Sequence, residues 1–482
     1  MSQDNHFLNQ VEEGQVTHKT GIWANYIETW KVALPICLSL LGQMAMGTTD
    51  VIFIGQLGPT ELASASLSAH IYYIYFMISI GIILASNSLI SQFRGQQNQR
   101  MIRRTVRQSI WIAILCSIFF MLPLWFMQEI FLILGQEESL AITAGRYTDY
   151  LMWSFLPAVA FVSLRCFFVG MQQAKMAAII VWSAVPLNAG LDYLLIFGGL
   201  GIPPLDIEGA GIATTIVSTL IFIAAAITVS IKQPFAEYQI FKNFWRPDWG
   251  IFINLFKLGT PMSIRLTLEE SVFTVSAILI GWLGVIELAA NTIIMVILGT
   301  TYMISLGIAD ATTSRVGYEF GARNYVQAKQ NGWVGAFATL TFTITAALIV
   351  VIFSTEISEF ILDPSTEQAD EVLLIAASVM LIAALSQIPD GIQLSIAGCL
   401  AALNDTKLPM FASIFCYWGL GFSVAWILAF ELDMGVPGFW LGLFIGLCSS
   451  AVVNLLRFWY LIRSDARLDH QQQLASNEDS HG

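Results

Sequence analysis

Long apolar runs, separated by short polar stretches, recur along the whole chain. Twelve are long enough to cross a bilayer, at about 31–55, 62–92, 108–134, 147–170, 176–198, 210–231, 250–284, 288–316, 330–354, 372–400, 409–430 and 437–461. A helix rises ~1.5 Å per residue, so about 20 apolar residues span a hydrocarbon core of ~30 Å. The pattern predicts an all-α membrane protein with twelve transmembrane helices. Polar positions inside the runs stand out because they are few. The first run already holds Gln43, Thr48, Thr49 and Asp50.

The pattern also repeats. Displaced by 226 residues, Lys31, Pro35, Ile54, Gly55, Leu57, Gly58 and Glu61 fall on Lys257, Pro261, Ile280, Gly281, Leu283, Gly284 and Glu287. Without a gap, Ser79, Gly81, Ala85, Ser88, Gly95 and Asn98 fall on Ser305, Gly307, Ala311, Ser314, Gly321 and Asn324. A duplicated unit this long fits the two halves of a membrane transporter, not a solenoid. The expected organisation is an N-terminal tail (1–30), a first six-helix lobe (31–231), a linker (232–249), a second six-helix lobe (250–462) and a C-terminal tail (463–482). The last of these is polar and expected to lack regular structure.

Composition supports this organisation, with 56% hydrophobic residues, 12% charged and a mean hydropathy of +0.69. A net charge of −12 argues against a nucleic-acid partner, which calls for a basic face. Much of the acidity sits outside the runs, at Asp4, Glu12, Glu13, Glu356, Glu359, Asp363, Glu367, Asp370 and Glu371, and reads as solvated surface. Lys and Arg crowd alternate loops: Arg94 to Arg107, Lys175, Lys232 to Arg246, Arg323 and Lys329, Lys407, then Arg463 and Arg467. The opposite loops hold one basic residue, Arg146, which puts both termini on the cytoplasmic side. The six cysteines lie in apolar runs without CxxC spacing and read as small hydrophobic side chains.

An ionisable group inside a span is costly unless paired or facing a cavity, so each is a functional candidate. Asp50 stands in the first span. Asn188 and Asp192 share one face of the fifth, one turn apart. Two carboxylates with an amide oxygen suit Na+, or could share a proton, since close carboxylates cannot both ionise cheaply in low dielectric. In the second half, Arg265 and Glu269 are spaced for an ion pair on one helix, Glu270 points about 100° away, and Asp390 follows the helix-kinking Pro389. Asp310 either takes part in coupling or hydrogen bonds to Thr312, Thr313 or Ser314. Arg165, Arg315 and Arg457 are placed to snorkel towards headgroups, and His70 reads as a packed core residue. The aromatic residues mostly fill helix contacts, with some expected to line a pocket for flat apolar substrates.

With GTTDVIFIGQLG, PLNAGLDY, LGTPMSIRLTLEE, SRVGYEFGARN and IPDGIQLSIAG in spans 1, 5, 7, 8 and 10, the chain resembles the multidrug and toxic compound extrusion (MATE) family in its NorM-like bacterial branch. The resemblance covers essentially all twelve spans. It implies a bacterial inner-membrane antiporter, with no cofactor, that exports small organic cations or amphipathic drugs against Na+ or H+ through two alternately opening lobes. It places Asp50, Asn188 and Asp192, with Thr214 as an addition, at the coupling site. Glu269 and Asp390 match the second-lobe acids, with Glu270 and Asp310 as further candidates for substrate or second-lobe cation binding. The chain departs from the pattern at Ser386, Arg265 and Asp310, which leaves coupling to the first lobe and substrate charge recognition to the second. An alternative within transport is a flippase for a lipid-linked precursor, which calls for a cationic cavity. An enzyme is disfavoured, since no HExxH, GxSxG or Walker loop is present, and no oligomer is implied.

Overall fold

A computed structural model describes residues 21–199, 201–361 and 369–479 of the chain. The expectations for Asp4, Glu12, Glu13, Asp363 and Glu367 fall outside these residues. Twelve long apolar helices cross the molecule: α1 (Ile22–Gly55), α2 (Pro59–Gly95), α3 (Gln99–Trp125), α4 (Glu138–Gly170), α5 (Lys175–Phe197), α6 (Asp206–Ile231), α7 (Trp249–Leu283), α8 (Ile286–Gly321), α9 (Tyr325–Ile352), α10 (Glu371–Ala402), α11 (Lys407–Glu431) and α12 (Gly435–Arg463). Large apolar side chains such as Ile118, Phe119, Leu122, Ile352 and Leu456 are exposed on the outer surface, as a lipid-facing wall requires.

Some boundaries depart from the hydropathy reading for local reasons. Helix α1 begins at Ile22, ahead of the apolar run, because Asn25 and Thr29 turn inward and are buried. The third apolar run breaks at Phe126, just past Pro123, and continues as a separate short helix, Met127–Ile133. The helix containing α12 runs on to Asp479, where no regular structure was expected.

The duplication is visible in local chemistry. The side chain of Asn98 caps α3 by accepting from the Met101 amide, and its repeat partner Asn324 caps α9 by accepting from the Gln327 amide. Gly58 and Gly284 precede α2 and α8, where a Cβ would collide with the carboxylates of Glu61 and Glu287.

The lobes meet through α1 and α2 of the first half and α7 and α8 of the second, and this seam is itself pseudo-symmetric. Ser263 Oγ donates to the Ile78 carbonyl at 2.8 Å, and its repeat counterpart Cys37 Sγ donates to the Ile304 carbonyl at 3.3 Å. A Cβ at Gly81 would run into Ser263, and one at Gly307 into Cys37. Nearer the Lys- and Arg-rich loops, Gly95 abuts the Tyr318 carbonyl while Gly321 abuts the Gln92 carbonyl. Small residues at these positions let helix backbones touch, the usual route to helix association in a bilayer.

The linker is docked rather than loose. Arg107 Nη1 donates to the carbonyls of Lys242 and Asn243 at 3.3 and 2.8 Å, Trp111 Nε1 donates to the Phe244 carbonyl, and Phe235 is buried. These contacts tie the linker to the first lobe, and Arg104 pairs with Asp248 at the start of α7.

Candidate functional site

Helices α1, α5 and α6 bring Asp50, Asn188, Asp192 and Thr214 together inside the first lobe. Pro186 lies two residues ahead of Asn188 in α5. The Asn188 amide has two hydrogens, and Nδ2 donates to Asp50 Oδ1 and to Asp192 Oδ2, both at 3.0 Å. Thr214 Oγ1 stands 3.1 Å from Asp50 Oδ2 and 3.0 Å from the Ala210 carbonyl, with one hydrogen to share between them. Asn188 and Asp192 are fully buried, and no Lys or Arg pairs with either aspartate among the described residues. Asn188 Oδ1 and Asp192 Oδ1 are buried without a hydrogen-bond partner. Orphaned hard oxygens beside an uncompensated pair of carboxylates fit a proton or a small hard cation.

The second lobe arranges its acids differently. Glu269 Oε1 accepts from Arg265 Nη1 at 2.6 Å and from Gln393 Nε2 at 3.1 Å, so α7 and α10 are joined through one carboxylate oxygen. Glu269, Glu270 and Asp390 all line a cavity of about 640 Å³ between the lobes. Its walls also carry the rings of Tyr73, Phe76, Phe273 and Tyr302 and the thioethers of Met44, Met77 and Met295, with Ser386 and Gln387 among the polar side chains. Which aromatics face the cavity was not legible in the sequence, because nearly every face of these helices carries one. Gln43, one of the few polar positions in the first apolar run, also lines it and stands at the repeat counterpart of Glu269.

Asp310 does not join these cavity acids. Its Oδ2 pairs with Arg165 Nη1 at 3.3 Å across the lobe seam, from α8 to α4. The hydroxyls expected as its partners bond elsewhere: Thr312 donates to the Ile308 carbonyl, Thr313 to the Ala309 carbonyl, and Ser314 to the Val169 carbonyl. Arg165 therefore does not snorkel; it is 4% exposed and lies at the cavity wall. Arg315 does not snorkel either. Its guanidinium is buried between α1 and α9, bonded to the Asn25 carbonyl and side chain, Thr29 Oγ1 and Asn331 Oδ1. Asp310 for Arg165, and Asn25 and Thr29 for Arg315, come from helices remote in sequence, which no local spacing reveals. Arg457 pairs with Asp405 at 2.7 Å with a third of its side chain exposed. His70 is exposed instead of packed in a core, with Nδ1 2.7 Å from the Ser66 carbonyl.

Among the described residues no group of three or more His, Cys, Asp or Glu side chains is arranged to hold a metal ion. The cysteines are all free, five of them buried.

The MatE family model matches residues 35–194 and 261–427. A probable multidrug resistance protein NorM of Mesorhizobium japonicum is 37% identical over 440 residues, covering 91% of this chain and 94% of that protein. Its namesake in Rhizobium meliloti is 36% identical over 439 residues, covering 90% and 92%. Two solved structures share the fold. A mutant of the Vibrio cholerae MATE transporter VcmN superposes with a TM-score of 0.84 at 18% identity, over 92% of this chain and 99% of that one. The eukaryotic MATE transporter AtDTX14 superposes with a TM-score of 0.81 at 19% identity, over 92% and 99%.

Proposed function

Because the chain belongs to the MatE family, in its NorM-like bacterial branch, we propose that it exports small organic cations and amphipathic drugs from the cell in exchange for Na+ or H+. It is a multi-pass membrane transporter, not an enzyme. In this reading it sits in the bacterial inner membrane with both termini in the cytoplasm, as the distribution of Lys and Arg suggests.

The observation that carries the reading is the division of labour among the buried acids. The inter-lobe cavity offers three carboxylates set among aromatic and methionine side chains, a surface that attracts a flat cation and adapts to its shape. The first-lobe cluster offers a carboxylate pair, Asp192 buried and Asp50 half-buried, with orphaned oxygens on Asn188 and Asp192 and no counter-cation, suited to the coupling ion. Binding an ion there changes the charge of one lobe. That lobe state then favours one of two openings of the cavity, so that ion and drug occupy the transporter alternately. The seam is closed near the basic loops, while the cavity lies towards the other end, lined by Gly47, Tyr73, Met295 and Leu298. In this reading, with the basic loops cytoplasmic, that arrangement is the outward-facing member of such a pair of states.

The flippase alternative needs positive charge for phosphate. Among the described residues the cavity has one cation on its wall, Arg165, already engaged by Asp310.

Ethidium accumulation in a pump-deficient bacterial host tests the drug-export reading. Cells expressing the protein should accumulate less dye than cells carrying the vector. Equal accumulation, with the protein demonstrated in the membrane, would rule out this substrate class.

A further inference from the structure

A second cavity, of about 790 Å³, opens on the outer face of the bundle where α3 of the first lobe meets α7 and α11 of the second. Its walls are apolar, formed by exposed side chains that include Leu115, Ile253, Ile264 and Phe411, and no Asp or Glu lines it. Two lysines do, Lys257 from α7 and Lys407 from the start of α11.

Neither lysine has an ion-pair partner among the described residues. The duplication makes this informative. Lys31, the repeat counterpart of Lys257, pairs at 2.7 Å with Glu28, whereas the position matching Glu28 in the second half is Asn254. The acid nearest Lys407 in sequence, Asp405, is taken by Arg457. Both ammonium groups are thus left to the groove and its surroundings.

Their depth suits a headgroup. Lys257 lies two turns along α7 from Trp249, about 12 Å of helix rise, and Trp249 is exposed at the basic-loop end as an interfacial residue would be. A lysine at that level extends its amine back towards the phosphate layer while its methylenes stay in the apolar groove. Lys407 begins its helix at the same end.

We propose that this groove is a binding site for one anionic phospholipid, whose phosphate is held between Lys257 and Lys407 and whose acyl chain lies along Leu115, Ile264 and Phe411. Paired cations between transmembrane helices are a common arrangement for acidic lipids. Since the groove is built from both lobes, the lipid touches each of them, and an acidic lipid is a ligand of the lobe arrangement as well as a solvent for it.

Native mass spectrometry of the full chain in detergent, titrated with dioleoylphosphatidylglycerol or dioleoylphosphatidylcholine, tests the site. Wild type should bind the first phosphatidylglycerol roughly 30-fold more tightly than phosphatidylcholine, at about fivefold per lysine. The K257Q/K407Q variant should lose the preference, and K257R/K407R should keep it, which separates loss of charge from loss of fold. Equal binding of the two lipids by wild type, or an unchanged preference in K257Q/K407Q, would overturn the proposal. So would a photo-reactive side chain at Phe411 that crosslinks, in phosphatidylglycerol nanodiscs, to the chain's own first twenty residues instead of to lipid.

Discussion

The two lobes start from one repeated unit but have buried charge in opposite styles. In the first, Asp50 and Asp192 share the Asn188 amide and have no guanidinium, and one oxygen each of Asn188 and Asp192 is left unpartnered. In the second, the principal acid is already answered: Glu269 holds Arg265 and Gln393 and faces a wide cavity beside Glu270 and Asp390. Repeat positions show how the lobes diverged. Asp50 corresponds to Ser276, a buried hydroxyl satisfied by the Val272 carbonyl one turn back. Glu269 and Arg265 correspond to Gln43 and Ser39. At these three positions one lobe carries charge where the other carries a neutral polar group. An uncompensated acid pair responds strongly to a small ion or proton, whereas a compensated acid on a broad surface offers graded attraction to many bulky cations.

The largest effect that would break this contrast is expected at Asp50. Asp50→Asn should reduce ion-driven efflux from proteoliposomes to the level of empty vesicles while leaving the cavity able to bind dye. Loss of dye binding at equilibrium in that variant would mean that the lobes do not divide the work.

The next effect concerns the ion pair joining the lobes. Asp310→Asn or Arg165→Leu leaves one buried charge unanswered, and each should cost about 3–5 kcal/mol of stability, read as a lower thermal midpoint in detergent. The double variant Arg165→Leu/Asp310→Leu should recover most of it. Double-variant losses equal to the sum of the singles would show that the two residues do not act as a pair.

A smaller and more selective effect is expected at Glu270, which lines the cavity without Arg265 on its own carboxylate. Glu270→Gln should weaken apparent affinity for a monovalent dye by about tenfold, equivalent to ~1.4 kcal/mol, and leave a neutral amphipathic substrate almost unaffected. Equal weakening for both would assign the residue to packing. At the seam, Gly81→Val and its repeat counterpart Gly307→Val should each cost about 1–3 kcal/mol through overpacking against Ser263 and Cys37. A large difference between them would show that the pseudo-symmetric contacts are not equivalent.

Much of this was legible before any coordinates. Apolar length marks a membrane span directly, and a gap-free offset from Lys31 to Asn98 exposes the duplication, so the twelve helices and two halves follow from the chain alone. The first-lobe cluster was legible for a similar reason: Asp50, Asn188 and Asp192 are rare polar residues in long apolar runs. What the sequence hid depends on contacts between helices remote along the chain. Arg165 meets Asp310 across 145 positions, and Arg315 meets Asn25 across 290. Spacing on a single helix, which revealed the pair of Arg265 and Glu269, cannot signal such partners. The groove at Lys257 was hidden too, because its lysines come from two helices and its meaning lies in the acid that Asn254 does not supply.

The most direct test of the division between lobes is ethidium efflux from proteoliposomes under an imposed Na+ gradient and, separately, an imposed pH gradient, for wild type, Asp50→Asn and Asp390→Asn. The account predicts that one gradient drives wild-type efflux, that Asp50→Asn abolishes it at every dye concentration, and that Asp390→Asn regains activity when the dye concentration is raised. An Asp50→Asn protein that still follows the gradient, or an Asp390→Asn protein that no dye concentration can rescue, would contradict it and move coupling into the second lobe.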